Sequence, residues 1–495
     1  MTRPSRRSAR GAARRDTGGR TQRLPESAEV ITIDRIAAGG DGVGRADGLA
    51  VFVPRTAPGD VAQVAYVAHA RHGRGRVLQL LTPSPHRVPP ACVHYEQDRC
   101  GGCQLQHLDA PTQREARRHI VQDTLARIGR RDIPLPELVH GAEWGYRGRL
   151  TLTLRRRGQG WVGGLHPHDD PTRVFALDSC LIAHPMLVQV WASVRALLRA
   201  PEPALPAVAL AQGRVEPAES LRLSLRLDED GGAAVAPGVQ LVLEGGTIWP
   251  QQEAWTAAVR AAEPRVRGVW WTRQHRAPEP GPHRSGASAS RRDRGRALEA
   301  SEVAAEYAPQ AREALAFAQV NADVARALRE YVYDAVQRFG PRRVVDGYAG
   351  TGALSARLVE AGVSVVAVEA DPAGAEAAAA RVRAKTAAAD RIAAAGSARV
   401  VSDLMERALP TIDEEVDVVV LNPPRRGVHP DVTAWLESPA QRGVSGLVYV
   451  SCDPATLARD LARLPSWRVA EVQCFDMFPQ TAHVETVCVL RRETP

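Results

Sequence analysis

The sequence predicts a multidomain α/β protein: an N-terminal OB-like β-barrel, a central α+β domain with a cysteine cluster, and a C-terminal Rossmann-like domain. Three observations predict it. Residues 26–85 hold short β-branched runs broken by Gly and Pro, at the spacing of a small closed barrel. Cys92, Cys100 and Cys103 crowd into one stretch, with Cys180 further on. From Arg343 onward apolar strands alternate with Ala-rich helices, the pattern of a largely parallel sheet covered on both faces. The 495 residues are enough for two to four ordinary domains. We place the boundaries at 1–25 for a disordered Arg-rich tail, 26–85 for the barrel, 86–310 for the central domain and 311–495 for the C-terminal domain.

The tail carries eight arginines against Asp16, which is most of the formal charge of +8, so the rest of the chain is close to neutral. Nucleic acid would then meet local patches on the folded part, with the tail as a salt-sensitive auxiliary arm. Lys385 is the one lysine among 64 basic residues, a bias we ascribe to genome base composition. No apolar run follows the N-terminal arginines, and none in the chain approaches the roughly 20 residues needed to cross a bilayer. We therefore expect a cytoplasmic protein with no membrane attachment, and a monomer.

In the barrel region the turns are Gly39-Gly40-Asp41-Gly42-Val43-Gly44 and Pro58-Gly59-Asp60, around the strand Val51-Phe52-Val53-Pro54. This segment resembles a TRAM domain, an OB-like RNA-binding module. In the central region strands are expected at 150–155 and 221–226, and Trp144-Gly145-Tyr146-Arg147 is either an RNA contact by stacking and phosphate binding or a packed aromatic pair. Residues 276–299, rich in Pro, Gly, Ser and Arg, read as a flexible basic insertion. A long helix is expected from about 313 to 339, with Leu315, Val320, Val324, Leu328 and Val332 near helical spacing.

The C-terminal domain then opens on a strand that runs into Gly347-Tyr348-Ala349-Gly350-Thr351-Gly352 and a helix, so that the backbone turns tightly beside a ligand at the strand's carboxyl end. Glu369 ends the next strand, where an acid grips ribose hydroxyls. The turn is not a dinucleotide GxGxxG and has no phosphate-binding lysine, so S-adenosylmethionine fits better than NAD or a nucleoside triphosphate. After the third strand Asp403 is placed to face the adenine amino group or to cap a helix. Asn422-Pro423-Pro424 at the fourth strand end puts an amide and rigid carbonyls beside the transferable methyl. Cys452 follows a buried strand and precedes a helix, near N–H groups that favour a thiolate, which makes it a candidate nucleophile. Cys474 and Cys488 read as buried structural thiols.

The stretch from Tyr449-Val450-Ser451-Cys452-Asp453-Pro454 to Asp460, with His483-Val484-Glu485-Thr486-Val487 and Phe317-Ala318-Gln319-Val320-Asn321, closely resembles the RNA uracil-5 methyltransferase family. The resemblance covers nearly the whole chain from Ala28. It implies a class I methyltransferase domain in which Gln319, Tyr348, Glu369 and Asp403 bind S-adenosylmethionine, with Asn422 at another cofactor-site position where the family commonly has an aspartate. It also implies that Cys452 is the nucleophile and Glu485 the general base. The chemistry needs both residue types. Carbon-5 of uracil attacks a sulfonium methyl poorly until a thiolate has added to carbon-6, and the carbon-5 proton must then leave before the thiolate can be eliminated.

Clustered cysteines in a cytosolic chain mean metal more often than disulfide, and four thiolates hold zinc or an iron–sulfur cluster equally well. The resemblance favours [4Fe–4S] over zinc, held by Cys92, Cys100, Cys103 and Cys180, because Cys-Gly-Gly-Cys-Gln with a later Asp178-Ser179-Cys180 looks like the cluster-bearing members. A cluster tied by four cysteines has no free iron site, so a structural or RNA-folding role is expected. The implied substrate is a flipped-out uridine in structured RNA. TRAM-like and cluster-like features together resemble the 23S ribosomal RNA branch more than the transfer RNA branch. The alternatives are a transfer RNA substrate, a non-catalytic iron–sulfur RNA-binding protein on the same scaffold, against which the presence of both Cys452 and Glu485 speaks, and an amino-group methyltransferase, which would need no thiol.

Overall fold

The computed structural model describes residues 26–158, 160–199, 204–210, 214–228, 237–273, 300–305, 319–389, 396–441 and 443–493; the expected tail at 1–25 and basic insertion at 276–299 lie outside the described residues. Strands β1 (Glu26–Ile36), β2 (Gly42–Ala46), β3 (Leu49–Val53), β4 (Val61–Ala68) and β5 (Gly73–Thr82) close into a barrel in the order β1-β2-β3-β5-β4. Alternate residues such as Ile31, Ile33, Val51, Val53 and Val64 fill its interior. The Pro58-Gly59-Asp60 turn is locked by the fully buried Asp60 carboxylate, which accepts from Ala57 N–H at 2.6 Å and Ser84 N–H at 2.9 Å and pairs with Arg87 at 2.7 Å.

A cysteine-bearing loop follows, holding α1 (Val93–Glu96), then α2 (Ala110–Arg127) and the short β6 (Glu137–Val139). Asp109 caps α2 by accepting from Thr112 N–H at 2.7 Å. The central sheet uses β7 (Arg149–Arg157), β8 (Gly160–Leu165), β9 (Phe175–Ala176), β12 (Ser220–Asp228), β13 (Gly238–Glu244), β14 (Val266–Thr272) and β15 (Ala300–Ala305) in the order β15-β14-β13-β12-β7-β8-β9, while β10 (Ala207–Ala209) and β11 (Val215–Pro217) pair separately. The two strands expected here are β7 and β12, paired antiparallel with Leu150 opposite Leu225. Their leucines form one apolar face, on which α3 (Pro185–Leu198) and α4 (Gln252–Ala262) place Trp191 and Trp255.

The C-terminal sheet has the order β18-β17-β16-β19-β20-β22-β21-β6, built from β16 (Arg343–Gly347), β17 (Ser364–Val368), β18 (Ala398–Val401), β19 (Val418–Leu421), β20 (Gly446–Ser451), β21 (Trp467–Phe475) and β22 (Glu485–Arg492). Strands β16 to β20 are mutually parallel; β22 runs antiparallel to β20 and β21. Helices α5 (Ala322–Gln337), α6 (Ala353–Glu360) and α7 (Pro372–Ala389) contribute to the core on one face, and α8 (Met405–Ala408), α9 (Pro430–Glu437) and α10 (Pro454–Leu461) to the core on the other. The second face also takes Val121 and Leu125 of α2, and β6 adds itself beside β21. Every residue of β19 and β20 is buried, as continuous apolar runs in a covered parallel sheet require.

The helix expected from about 313 to 339 is shorter. Residues 313–318 lie outside the described residues, and α5 begins at Ala322. Asn321 ends the run on its N-terminal side by capping, accepting from Val324 N–H at 3.3 Å. Val320 is drawn off as an acceptor for Gly148 N–H at 2.8 Å, so the chain at 319–321 lies against the start of β7 instead of coiling.

Candidate active site

The strand order reverses at β16, and the loops beyond β16, β17, β18 and β19 therefore border one crevice. At its centre Asp346, the last residue but one of β16, is almost fully buried, accepting from Ser355 Oγ at 2.5 Å, and burial pushes its carboxyl up to about 6. Two residues on, Tyr348 has φ +60, an unusual left-handed conformation for a non-glycine residue. Gly352, at φ +71, starts α6 where an added Cβ would lie 2.8 Å from the Ala378 Cβ. Glu369, just past β17, ties the turn down: one carboxylate oxygen accepts from Gly350 N–H at 2.8 Å and the other from Asp371 N–H at 2.8 Å. Asp403 is half-buried beyond β18 and accepts from Leu404 N–H at 2.7 Å, which places it at the entrance to α8. Asn422 exposes its side chain beyond β19 while its N–H donates to Gly347 O at 3.2 Å.

Four of the five sequence-predicted cofactor residues thus sit at four adjacent strand ends. Gln319 lies outside the sheet, half-buried on the segment held against the start of β7. The donor set is suited to hydroxyl and amino groups: the carboxylates Glu369 and Asp403 accept hydrogen bonds and repel phosphate.

Cys452 and Glu485 meet through strand pairing. Ser451, the last residue of β20, is in register with Thr486 of antiparallel β22, so Cys452 and Glu485 are the next pair outward. Glu485 is 3% exposed, and burial pushes its carboxyl up to about 7, with Arg425 pulling the other way. The half-buried Cys452 thiol is also raised, by burial and then by the Glu485 charge, again opposed by Arg425. This corrects the expectation that the helix start favours a thiolate. Asp453 caps α10 with its own carboxylate, accepting from Ala455 N–H at 2.9 Å and Thr456 N–H at 3.1 Å, so those donors are turned to Asp453.

Two contributors escaped the sequence reading. Arg425 is a cation facing both Cys452 and Glu485, and its signal was a basic pair directly after Asn-Pro-Pro. Asp460, fully buried, joins three pieces of the site by accepting from Tyr449 Oη at 2.7 Å on β20, from Val428 N–H at 2.9 Å on the Arg425 loop, and from Arg463. Of the aromatic pair, Trp144 is exposed, whereas Tyr146 packs inward and donates to Pro479 O at 3.0 Å.

The four cluster cysteines are neighbours, and none forms a disulfide. Cys92, Cys103 and Cys180 share one apolar pocket with Tyr95, Tyr146 and Ile182, and Cys180 also packs against the core that contains Cys100. Burial raises Cys100, Cys103 and Cys180, and each is raised further by other members of the four. Backbone N–H groups point at sulfur: Gly102 N–H donates to Cys100 Sγ at 3.4 Å, and Ala183 and Ile182 donate to Cys180. Among the described residues no three His, Cys, Asp or Glu side chains are closed up into a metal site as they stand.

The strand order with one antiparallel strand, the glycine turn at the switch point and acids at the flanking strand ends define a Rossmann-like methyltransferase. A family model described as tRNA (uracil-5-)-methyltransferase matches residues 299–493. An uncharacterised RNA methyltransferase of Thermosynechococcus vestitus is 33% identical over 469 residues, 93% of this chain and 97% of the relative. The 23S rRNA (uracil(1939)-C(5))-methyltransferase RlmD of Chromohalobacter salexigens is 32% identical, over 99% of this chain and 94% of that protein. Among solved structures, the Pyrococcus abyssi tRNA (uracil-54, C5)-methyltransferase in complex with S-adenosyl-L-homocysteine has a TM-score of 0.61 at 21% identity, covering 93% of this chain and 99% of that one. The chain belongs to the RNA uracil-5 methyltransferase family.

Proposed function

We propose that the protein methylates carbon-5 of a uridine in structured RNA, 23S ribosomal RNA by preference, through a covalent adduct between Cys452 and the uracil. The observation that carries this reading is the pairing of Cys452 and Glu485 at the adjoining ends of β20 and β22, with Arg425 facing both. Relatives at about 30% identity named as 23S ribosomal RNA enzymes support the substrate choice.

S-adenosylmethionine, when bound, supplies the electrophilic methyl group. Tyr348, Glu369, Asp403 and Asn422 at the strand ends, with Gln319, would hold it, the two carboxylates taking its hydroxyl and amino groups. Cys452 Sγ, with Arg425 favouring its thiolate, forms a bond to carbon-6, and the carbon-5–carbon-6 π pair shifts toward carbon-5 and O4. Once carbon-5 carries the methyl, the Glu485 carboxylate takes the carbon-5 proton. The C–H electron pair rebuilds the double bond and the thiolate leaves. Around this centre we assign the barrel as a TRAM-like RNA-binding module and Cys92, Cys100, Cys103 and Cys180 as ligands of a [4Fe–4S] cluster. Four cysteines packed in neighbouring apolar clusters, with N–H donors aimed at Cys100 and Cys180, support such a group, whose part would be to cross-link the cysteine loop.

RNA containing 5-fluorouridine tests the mechanism, because fluorine cannot leave as the proton does and the adduct stalls. Wild-type protein should become covalently attached to this RNA and Cys452→Ala should not; an adduct with Cys452→Ala would refute the nucleophile. Mass-spectrometric mapping of RNA from cells lacking the protein should show one or more 5-methyluridines missing from 23S ribosomal RNA. Loss from transfer RNA instead would keep the chemistry and overturn the substrate.

A further inference from the structure

Residues 476–484 connect β21 to β22 and end at Glu485, so whatever fixes this loop fixes the base. At its centre is Gln480, 3% exposed and held at φ +69. A left-handed non-glycine residue costs about 1–3 kcal/mol and persists only where its surroundings over-determine it. Here they do. The Gln480 carbonyl accepts from Gln104 N–H at 3.1 Å and Leu105 N–H at 3.0 Å, the residues directly after Cys103. Its amide is matched reciprocally with Gln113 on α2: Gln113 Nε2 donates to Gln480 Oε1 at 2.9 Å, and Gln480 N–H donates to Gln113 Oε1 at 3.2 Å. On either side, Tyr146 Oη holds Pro479 O, and Arg117 donates to Thr481 O at 2.7 Å.

We propose that Gln480 is a positioning residue for the proton-removal step, which makes the placement of the Glu485 carboxyl depend on the cysteine-bearing loop and on α2. The proposal rests on the reading of Glu485 as the base. It assigns the loop a task separate from RNA binding: addition of Cys452 to carbon-6 needs β20 and its turn, whereas removal of the carbon-5 proton needs the end of this loop. Loosening Gln480 should therefore leave adduct formation intact and slow adduct breakdown.

Two variants separate these steps. Gln480→Gly keeps the left-handed backbone, the carbonyl acceptor and the N–H donor but deletes the side-chain bond from Gln113 Nε2; Gln113→Ala deletes both bonds from α2 and leaves the loop's sequence untouched, so it carries the test if the glycine variant does not fold. With 5-fluorouridine RNA both variants should form adduct at the wild-type rate. With ordinary uridine RNA, kcat should fall roughly tenfold with KM nearly unchanged, and the covalent adduct should accumulate several-fold over wild type, since a misplacement near 1 Å costs up to about 100-fold. Wild-type kcat without accumulation in both variants overturns the proposal, as does a fall confined to fluoro-adduct formation or a rise in KM. Glu485→Gln is the reference: if it turns over without trapping adduct, the base assignment itself fails, whereas trapping by Glu485→Gln and not by the Gln480 and Gln113 variants refutes the positioning role alone.

Discussion

A carboxyl pushed up to about 7 by burial is suited to taking a proton at neutral pH and handing it back to solvent, and Glu485 has that character because β22 begins inside the protein. The same burial makes it a stability liability with a defined pH window. In the unfolded chain a glutamate titrates near 4.3, so between about pH 4.3 and pH 7 the native state retains a proton that the unfolded state has lost. Glu485 therefore contributes stability that is fully present below about pH 4.3, falls as pH rises toward 7, and changes little above it. From these two values the loss is on the order of 4 kcal/mol. Glu485→Gln, which cannot ionise, should match wild type in denaturant melts at pH 4 and exceed it at pH 8, while losing turnover on uridine RNA. Equal midpoints at pH 8 would show that burial does not raise the wild-type carboxyl. The wild-type rate should rise through pH 7 as the carboxylate forms, read as the acid limb of kcat against pH.

At the scale of elements, α2 is the brace of the site. Its apolar residues Val121 and Leu125 enter the same core as Leu457, Ala458 and Leu461 of α10, and its polar residues Gln113 and Arg117 hold the loop before Glu485. Arg117 is 1% exposed and pairs with the buried Asp476 at 2.6 Å. A buried pair adds little over a well-packed apolar replacement, yet breaking it leaves one charge without its partner at about 3–5 kcal/mol. Arg117→Ala should therefore lower the denaturation free energy by about that amount, and Arg117→Met with Asp476→Leu should recover most of it. If both variants lose the same stability, the cost arises from packing and not from the stranded carboxylate. Nothing in the local pattern of α2 announces this duty, since Arg117 sits among Arg114 and Arg118 in a helix that reads as polar, and only contact with a loop some 360 residues later removes it from water. The strands β19 and β20 were legible for the opposite reason: a strand buried on both faces writes its environment into consecutive residues.

Across the whole molecule, the parts of the site that could be read from sequence are those carried on a strand end, such as Tyr348, Glu369, Cys452 and Glu485, where local pattern and position in the sheet agree. The parts that could not are made by distant segments: β6 joins β21 across more than 300 residues, Asp460 ties β20 and the Arg425 loop to α10, and Gln480 takes a conformation that only its neighbours make affordable. Other distant segments converge on residues 476–484, where barrel residues Ile36 and Ala57, the cysteine loop's Leu105, and Ala116 and Ile120 of α2 pack with Ala482. The C-terminal sheet is consequently not a self-sufficient unit, although its strands form the complete crevice. Val121 and Leu125 are each fully buried, and removing such side chains from the interface forfeits about 1.5–3 kcal/mol apiece, before the edge pairing of β6 and the Arg131 bond to Leu464 O at 2.6 Å are counted. Against a typical total of about 5–15 kcal/mol, that loss is large. A fragment of residues 300–495 should therefore lack a cooperative thermal transition and fail to attach to 5-fluorouridine RNA, whereas adding residues 86–299 back to the same chain should restore the transition. A fragment of 300–495 that melted cooperatively at the full-length midpoint would mean that α2 and β6 decorate the catalytic sheet rather than complete it.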